Sequence, residues 1–492
     1  MKTVLLPTLG AVLSVLAFPP FGPGILIVPG VTLLLMAVRA AESRRQGLLV
    51  GSLYGLLFFG GLMWWLAELE LLALILVPVQ AAFLAMYGWW LPRYNHRPPG
   101  SWLALAVGAW AVMELIRYRF PVGGLEWGAA GYALSDNVFT RQPAAVIGTS
   151  GLTILIVLIA ALLACAFTNR SGWALIWGSL VVVVIVAGSY TWSMLRTFDD
   201  VAAPVSIVQG STPCPFEHCP PDERLRTYEQ HLELTRTLEA GMSGLVIWPE
   251  GSTGSTNADP VNNDEIGEAI ADEARRLHSR FVVGGDRVVS DTEWINANVY
   301  FNAEGEIVGE YRKRHPVPFG EYVPWRPLFE WIPALERVPR DMIRGDGPVL
   351  MDEVGSVISF EGGFARYAFD VRRAGAEVIV VNTNEASYGA TAPTADQFIG
   401  MTRMRAVELG VPVIHAAVTG KSTVIDIDGA IGEETKLGES RVLEDTYRAI
   451  GIETIYSTIG NLVMWLAALL GVVVWMLLRW LVGSQPLQTE EE

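Results

Sequence analysis

Charge is scarce in this chain. Asp, Glu, Lys and Arg make up 17% of its 492 residues, against roughly 25% in an average globular protein. Cysteine is scarcer still. Cys165, Cys214 and Cys219 are the only three, too few for a disulfide framework or a structural zinc site. Cys214 and Cys219 could form one bridge in an oxidising compartment or stay as two thiols. No basic stripe is present and the isoelectric point is near 4.9, which excludes the electrostatic footprint of a nucleic-acid binder. Low-complexity sequence is missing apart from a short acidic tail. Apolar residues take the place of charge. They make up 51% of the chain, with 17 Trp, which rules out a disordered chain and points away from a fully soluble one.

A membrane helix needs about 20 apolar residues. Seven candidate stretches precede residue 195, near 4–18, 24–39, 47–66, 71–92, 102–117, 144–168 and 173–193, and an eighth runs near 458–480. The first could instead be a signal peptide, with Lys2 before the apolar run and Ala17 at a cleavage position. Residues 120–135 are apolar but glycine-rich and read as a re-entrant segment, tolerated only against protein or water. Glu114 and Arg117 stand at i,i+3 near a helix end, placed to pair as an interface anchor or to act at depth. Trp64–Trp65 and Trp89–Trp90 are expected in an interfacial belt. Arg39, Arg44 and Arg45, then Arg93 and Arg97, then Arg170 fall on loops that share one side by parity. That side is cytoplasmic by the positive-inside rule, although Arg117, Arg119 and Arg141 run against it. The middle of the chain is thereby expected outside the cytoplasm.

That middle stretch is different material. Short apolar runs at 205–210, 244–250, 281–285, 298–305, 354–362, 376–384 and 411–418 read as strands, and 221–240, 261–278 and 393–409 as helices. Strands alternating with helices of this length predict an α/β domain. The expected organisation is a seven-helix bundle over 1–197, the α/β domain over 203–452, a closing helix over 457–482 and a cytoplasmic tail over 483–492.

Three segments place polar groups where α/β domains keep their chemistry, at strand ends. Glu250 closes GLVIWPE beside Trp248 and Pro249, where desolvation suits a carboxylate to general-base work. A surface carboxylate is the plainer alternative. Lys313 lies in a run of Arg312, Lys313, Arg314 and His315, with Glu321 nearby. Three prolines and a glycine there exclude a helix interior. A fixed Lys could stabilise an oxyanion, or the run could be a solvated basic loop. Ser359 ends a strand ahead of Glu361, Gly362 and Gly363, in outline a nucleophile elbow or a local backbone cap.

Together these segments resemble the apolipoprotein N-acyltransferases, membrane members of the nitrilase (carbon–nitrogen hydrolase) superfamily. The resemblance covers nearly the whole chain. It is carried by LAFPPFG at 16–22, KRHPVPFGEYVP at 313–324, and MTRMRAVELGVPVIHAAVTGKS at 401–422 with IDGAI after it. It implies a polytopic bundle of about eight helices bearing an extracytoplasmic nitrilase-like α-β-β-α sandwich, in a bacterial inner membrane. It further implies transfer of an acyl chain from a phospholipid to the N-terminal diacylglyceryl-cysteine of a lipoprotein through an acyl-enzyme, with no metal and no organic cofactor. In the family's Glu–Lys–Cys triad, Glu250 corresponds to the base and Lys313 to the oxyanion support. Glu321 and Glu361 match accessory acidic positions.

The family's cysteine position is Ser359 here. The loop Asn384-Glu385-Ala386-Ser387-Tyr388-Gly389 departs from the family's usual Asn-Asp or Asn-Asn. A thiol is readily made a thiolate by a neighbouring base, whereas a serine must lose its proton during attack. Ser359 is therefore a slower nucleophile, the mark of a silent lipid- or lipoprotein-binding member, or a replacement that traps a complex. Cys214 is a remote alternative nucleophile, lacking the strand-end setting.

Overall fold

Apolar residues run in long stretches through both ends of the chain. A lipid phase leaves their backbone groups no partner but each other, so such stretches close into helices. The computed structural model describes residues 2–483 except 70, 170–171, 195–200, 216–222, 224, 255–257, 330 and 390–392. The chain divides into two units, one of Met1–Trp64, Leu72–Trp192 and Ile459–Glu492, the other of Trp65–Leu71 and Ser193–Thr458.

Each of the eight apolar stretches in the first unit falls on helix. Among the described residues, four spans are long and apolar enough to cross a membrane: Ala73–Tyr94, Pro99–Arg117, Ala144–Thr168 and Leu462–Leu481. The two N-terminal helices are shorter, Thr3–Leu16 and Gly24–Arg39. Small residues bring the Arg44–Leu62 and Leu76–Trp90 helices together. A side chain at Gly51 would put its Cβ 2.1 Å from the Leu84 carbonyl oxygen, so the two backbones touch only because that position is bare.

Arg117 is an internal clamp and not an interface anchor. It donates through Nε to Glu114 (2.8 Å), and through Nη1 to Gln80 (3.1 Å) and to the carbonyls of Leu125 and Trp127 (2.9 Å each). Residues 125–135 are buried, so this part of the glycine-rich segment is packed against protein.

The second unit holds two sheets. β1 (Ala202–Gln209), β2 (Leu245–Trp248), β3 (Arg280–Val288), β4 (Glu293–Phe301), β5 (Ile307–Arg312) and the short β6 (Asp341–Met342) build the first. β7 (Leu350–Met351), β8 (Val354–Ile358), β9 (Val378–Thr383), β10 (Val413–Ala417), β11 (Thr423–Ile425) and β12 (Ile431–Glu434) build the second. β13 (Arg441–Arg448) returns to pair antiparallel with β1. The orders are β13-β1-β2-β3-β4-β5, with β6 on β4, and β12-β11-β10-β9-β8-β7.

The sheets bury one face against each other through Ile207, Ile247, Val282 and Tyr300 on one side and Val354, Ile358, Val380 and Ile414 on the other. Helices Leu225–Thr235 and Asp264–Leu277 cover the outer face of the first sheet, setting Leu232, Ile270 and Ala274 on Val208, Val246 and Trp248. Ala365–Arg373 and Thr394–Leu409 lie on the second. The result is four layers, α-β-β-α. Covered on both faces, the parallel strands carry unbroken apolar runs such as Val378–Val381.

Some expected boundaries move. The run at 298–305 is not one strand: β4 ends at Phe301, a turn at Asn302–Gly305 follows with Gly305 at φ 80°, and β5 begins at Ile307. The run at 354–362 stops as a strand at Ile358, and Ser359–Gly363 forms a 3-10 turn. The helix expected at 221–240 is Leu225–Thr235.

Candidate active site

Glu250 follows β2. Its main chain runs against β3 so closely that a Cβ at Gly284 would lie 2.7 Å from the Glu250 Cα. The side chain points inward and is buried. Glu250 Oε1 accepts from Asn296 Nδ2 (2.7 Å) and from Lys313 Nζ (3.1 Å), and Oε2 accepts from the Asn384 backbone N–H (2.8 Å). The three donors come from three segments, so the carboxylate is fixed in orientation as a positioned base must be.

Lys313 directly follows β5. Its N–H donates to the Asn296 carbonyl (2.9 Å), and its own carbonyl accepts from Gly345 N–H (3.0 Å). The ammonium donates to Glu250 and to Glu321 Oε1 (2.5 Å), with 1% of the side chain exposed. Burial works against this charge, but the two carboxylates outweigh it and hold the Lys313 pKa well above the ordinary lysine value. Glu321 is aimed back at Lys313 by a tight turn in which its N–H bonds the Val317 carbonyl. Its Oε2 accepts from Val317 N–H (2.7 Å). Burial pushes the Glu321 carboxyl upward, opposed by Lys313.

The basic run therefore splits: Arg312 stays exposed, while Lys313 and His315 are buried. Arg312 pairs with Glu310 (2.6 Å) and Arg314 with Asp370 (2.9 Å). His315 is buried against Phe364, and its pKa is pushed down to about 3, first by burial and then by Arg366. It stays neutral at ordinary pH and only Lys313 enters the site.

Ser359 opens the turn after β8 at φ 51°. Left-handed backbone at a side chain other than glycine costs roughly 1–3 kcal/mol and gathers at functional sites. Its hydroxyl makes no hydrogen bond among the described residues. Ser359 is set beside the lysine segment through Glu361. This fully buried carboxylate accepts from the backbone N–H groups of Ile358 (2.9 Å), Arg314 (2.5 Å) and His315 (2.8 Å) and from the Tyr311 hydroxyl (2.7 Å). Glu361 therefore staples the elbow of the serine to the segment of the lysine and does not itself touch Lys313. Burial raises its pKa, against the opposing backbone donors.

Beneath the site a polar ladder crosses the core. Asn382 Nδ2 donates to the Trp248 carbonyl (3.1 Å) and to Asn298 Oδ1 (3.0 Å), and Asn298 donates to Ser356 Oγ (3.0 Å). It ties the C-terminal ends of β2 and β9, and Ile358 is the register partner of Asn382 on β8. Glu250 and Ser359 thus follow strand ends that are linked. The sequence does not single out Asn296, Asn298, Asn382 and Tyr311. Its available signal was Asn296 and Asn298 two apart in NANVYF, polar residues repeating on the inward face of an apolar strand.

Trp65 departs from its expected belt position: it is 5% exposed and meets the Tyr388 ring edge-on at 5.2 Å. Cys214 is disulfide-bonded, which removes it as a nucleophile, Cys165 is a free buried thiol, and Cys219 lies outside the described residues. Among the described residues no group of three or more His, Cys, Asp or Glu is placed to hold a metal ion.

Residues 10–162 match the family model described as apolipoprotein N-acyltransferase N-terminal domain, and residues 205–449 that of carbon-nitrogen hydrolase. The apolipoprotein N-acyltransferase of Nitrosomonas europaea is 28% identical over 480 residues, covering 92% of this chain and 92% of that protein. The protein of the same name from Geobacter metallireducens is 28% identical over 498 residues, covering 94% and 93%. An amidase crystal structure from Nesterenkonia sp. aligns at 15% identity over 53% of this chain and 94% of that one, with a TM-score of 0.37. From one end to nearly the other, then, the chain belongs to the apolipoprotein N-acyltransferase family, and its α/β unit is the carbon–nitrogen hydrolase domain of that family.

Proposed function

We propose that this protein transfers an acyl chain from a phospholipid to the N-terminal diacylglyceryl-cysteine of lipoproteins through an acyl-enzyme on Ser359. Ser359 Oγ attacks the ester carbonyl while Glu250 takes its proton. The Lys313 ammonium, already desolvated and oriented, stabilises the oxyanion. Collapse breaks the C–O bond, and the lysophospholipid alkoxide leaves with the proton held by Glu250. The acceptor's α-amine then attacks the ester on Ser359 and gives a proton to Glu250. That proton returns to Ser359 Oγ as the amide forms.

One observation carries this reading. A buried acid–lysine–acid cluster is stapled, through Glu361, to a serine held in left-handed backbone with a free hydroxyl. Both substrates are membrane-held, and the apolar helices suit that. Exposed Trp325, Leu328 and Trp331 follow the lysine segment and suit contact with acyl chains. The bundle is read as crossing a bacterial inner membrane about eight times. The domain at 203–452 is placed outside the cytoplasm and the tail at 483–492 inside. Most of that tail lies outside the described residues.

The test is intact mass after incubation with phospholipid. The expected result is one acyl adduct on Ser359, discharged by a diacylated lipopeptide. Neither adduct nor transfer would leave a silent lipid- or lipoprotein-binding member of the family. Ser359→Cys is expected to raise acylation strongly with no other change, because the rest of the site is in place.

A further inference from the structure

Glu385 lies in the loop whose first residue, Asn384, holds Glu250. It is 3% exposed, and its Oε1 has no hydrogen-bond partner among the described residues. Its carboxyl packs on Gly420, where a Cβ would lie 2.7 Å from both Glu385 Cδ and Oε2. Only a bare position there leaves room for it. The same loop is cross-tied within itself: Ala386 N–H donates to Asn384 Oδ1 (3.0 Å), and Tyr388 N–H to the Glu385 carbonyl (3.1 Å). A shift of Glu385 therefore moves Asn384 and Tyr388 with it.

We propose that Glu385 is a positioning residue for acyl transfer: its carboxyl, packed on Gly420 beside the Asp396–Lys421 pair, seats the 384–389 loop and so keeps the Asn384 N–H on Glu250. The inference rests on the acyl-transfer reading above. Three charged or titratable groups face Glu385. Asp396 comes from the start of the Thr394–Leu409 helix, Lys421 from the turn after β10, and Tyr388 from its own loop. Lys421 is committed to Asp396 and also lies 3.5 Å from Glu434. Burial, with Asp396 adding and Lys421 opposing, pushes the Glu385 carboxyl up to about 8.

Below that pH the group is a neutral acid that its buried setting on Gly420 accepts. Above it, a carboxylate with an unpartnered oxygen must find a donor, and the loop gives way. The sign follows directly. A carboxyl raised in the folded state contributes stability that is lost as pH climbs from the ordinary glutamate range through about 8, and loop order is lost with it.

The experiment uses the full chain in lipid nanodiscs. It measures lysophospholipid release in a single acylation turnover from pH 6.5 to 9.5, which avoids titration of the acceptor amine. It also measures hydrogen exchange at the Asn384 amide. In the wild type, acylation is expected to fall roughly tenfold between pH 7 and 9, and at pH 9 the Asn384 amide should exchange roughly tenfold faster than in Glu385→Gln. The Gln variant should lose the alkaline fall. Glu385→Asp, with a shorter reach, should lower the rate at every pH. Matching pH profiles and equal Asn384 exchange at pH 9 in wild type and Gln variant would overturn the proposal. A wild type that never acylates, yet shows the exchange difference, would sink the acyl-transfer reading and leave the role of Glu385 in seating the loop.

Discussion

A lysine ammonium with 1% of its side chain exposed, set between two carboxylates, is costly to remove at the scale of a single residue. Lys313→Met would leave Glu250 and Glu321 buried with no counter-charge. Breaking a buried pair in this way costs about 3–5 kcal/mol, and losing an oxyanion donor lowers rates about 100- to 1000-fold. The expected outcome is a lower unfolding midpoint by calorimetry together with acylation reduced by that factor. A lysine that served stability alone would move the first measurement and not the second. Of the candidate site, the placement of Glu250, Lys313 and Ser359 just after strands was legible because strand-end position and residue type are local properties. The work of Glu361 was not. Three of its four hydrogen bonds reach residues more than forty positions away in sequence, and spacing alone shows only an acid near a serine. The charge of Arg314 could not be read for the same reason, since Asp370 pairs with it from the Ala365–Arg373 helix.

At the scale of elements, packing between helices rests on where side chains are missing. Gly47, Gly51 and Gly55 recur at four-residue spacing on one face of the Arg44–Leu62 helix, and each comes against backbone of Leu76–Trp90. Gly51→Leu has no space, with its Cβ 2.1 Å from the Leu84 oxygen. It should force the pair apart, at a cost of about 1–3 kcal/mol or more. A lower thermal midpoint in detergent is expected, while the α/β unit keeps its own transition. An unchanged midpoint would mean that the two helices are not packed this way. Among strands, those buried on both faces were legible from their apolar runs. β13 was not: its sequence RVLEDTYR mixes charge with apolar residues because it is an edge strand, paired on one side to β1. The boundary between β4 and β5 was missed because Gly305 turns the chain inside what reads as one polar-tipped run.

Across the whole molecule, three buried histidines among the described residues weaken the fold in acid, opposed by buried carboxyls such as Glu385 whose raised pKa acts the other way. Burial holds His231 at about 4 and both His315 and His415 at about 3. Each binds a proton more readily unfolded than folded, so stability from this source is intact above about pH 6.5 and lost as pH falls toward 4. Each contributes up to about 1.4 kcal/mol per pH unit in that window. In urea unfolding across pH 4–7, His315→Gln should lose less stability toward acid than the wild type, by up to about 1.4 kcal/mol per pH unit. The sequence by itself determined the partition of the chain into apolar helices and an α/β domain. It also determined which acid, amine and hydroxyl types end which strands, because hydropathy period and residue identity are written locally. Only the tertiary structure decided that Lys313 alone of its basic run faces the site, that Glu361 is a staple, and that Glu385 Oε1 is buried without a hydrogen-bond partner among the described residues. A contact between residues far apart in the chain is a property of the packed core, and no window of sequence contains it.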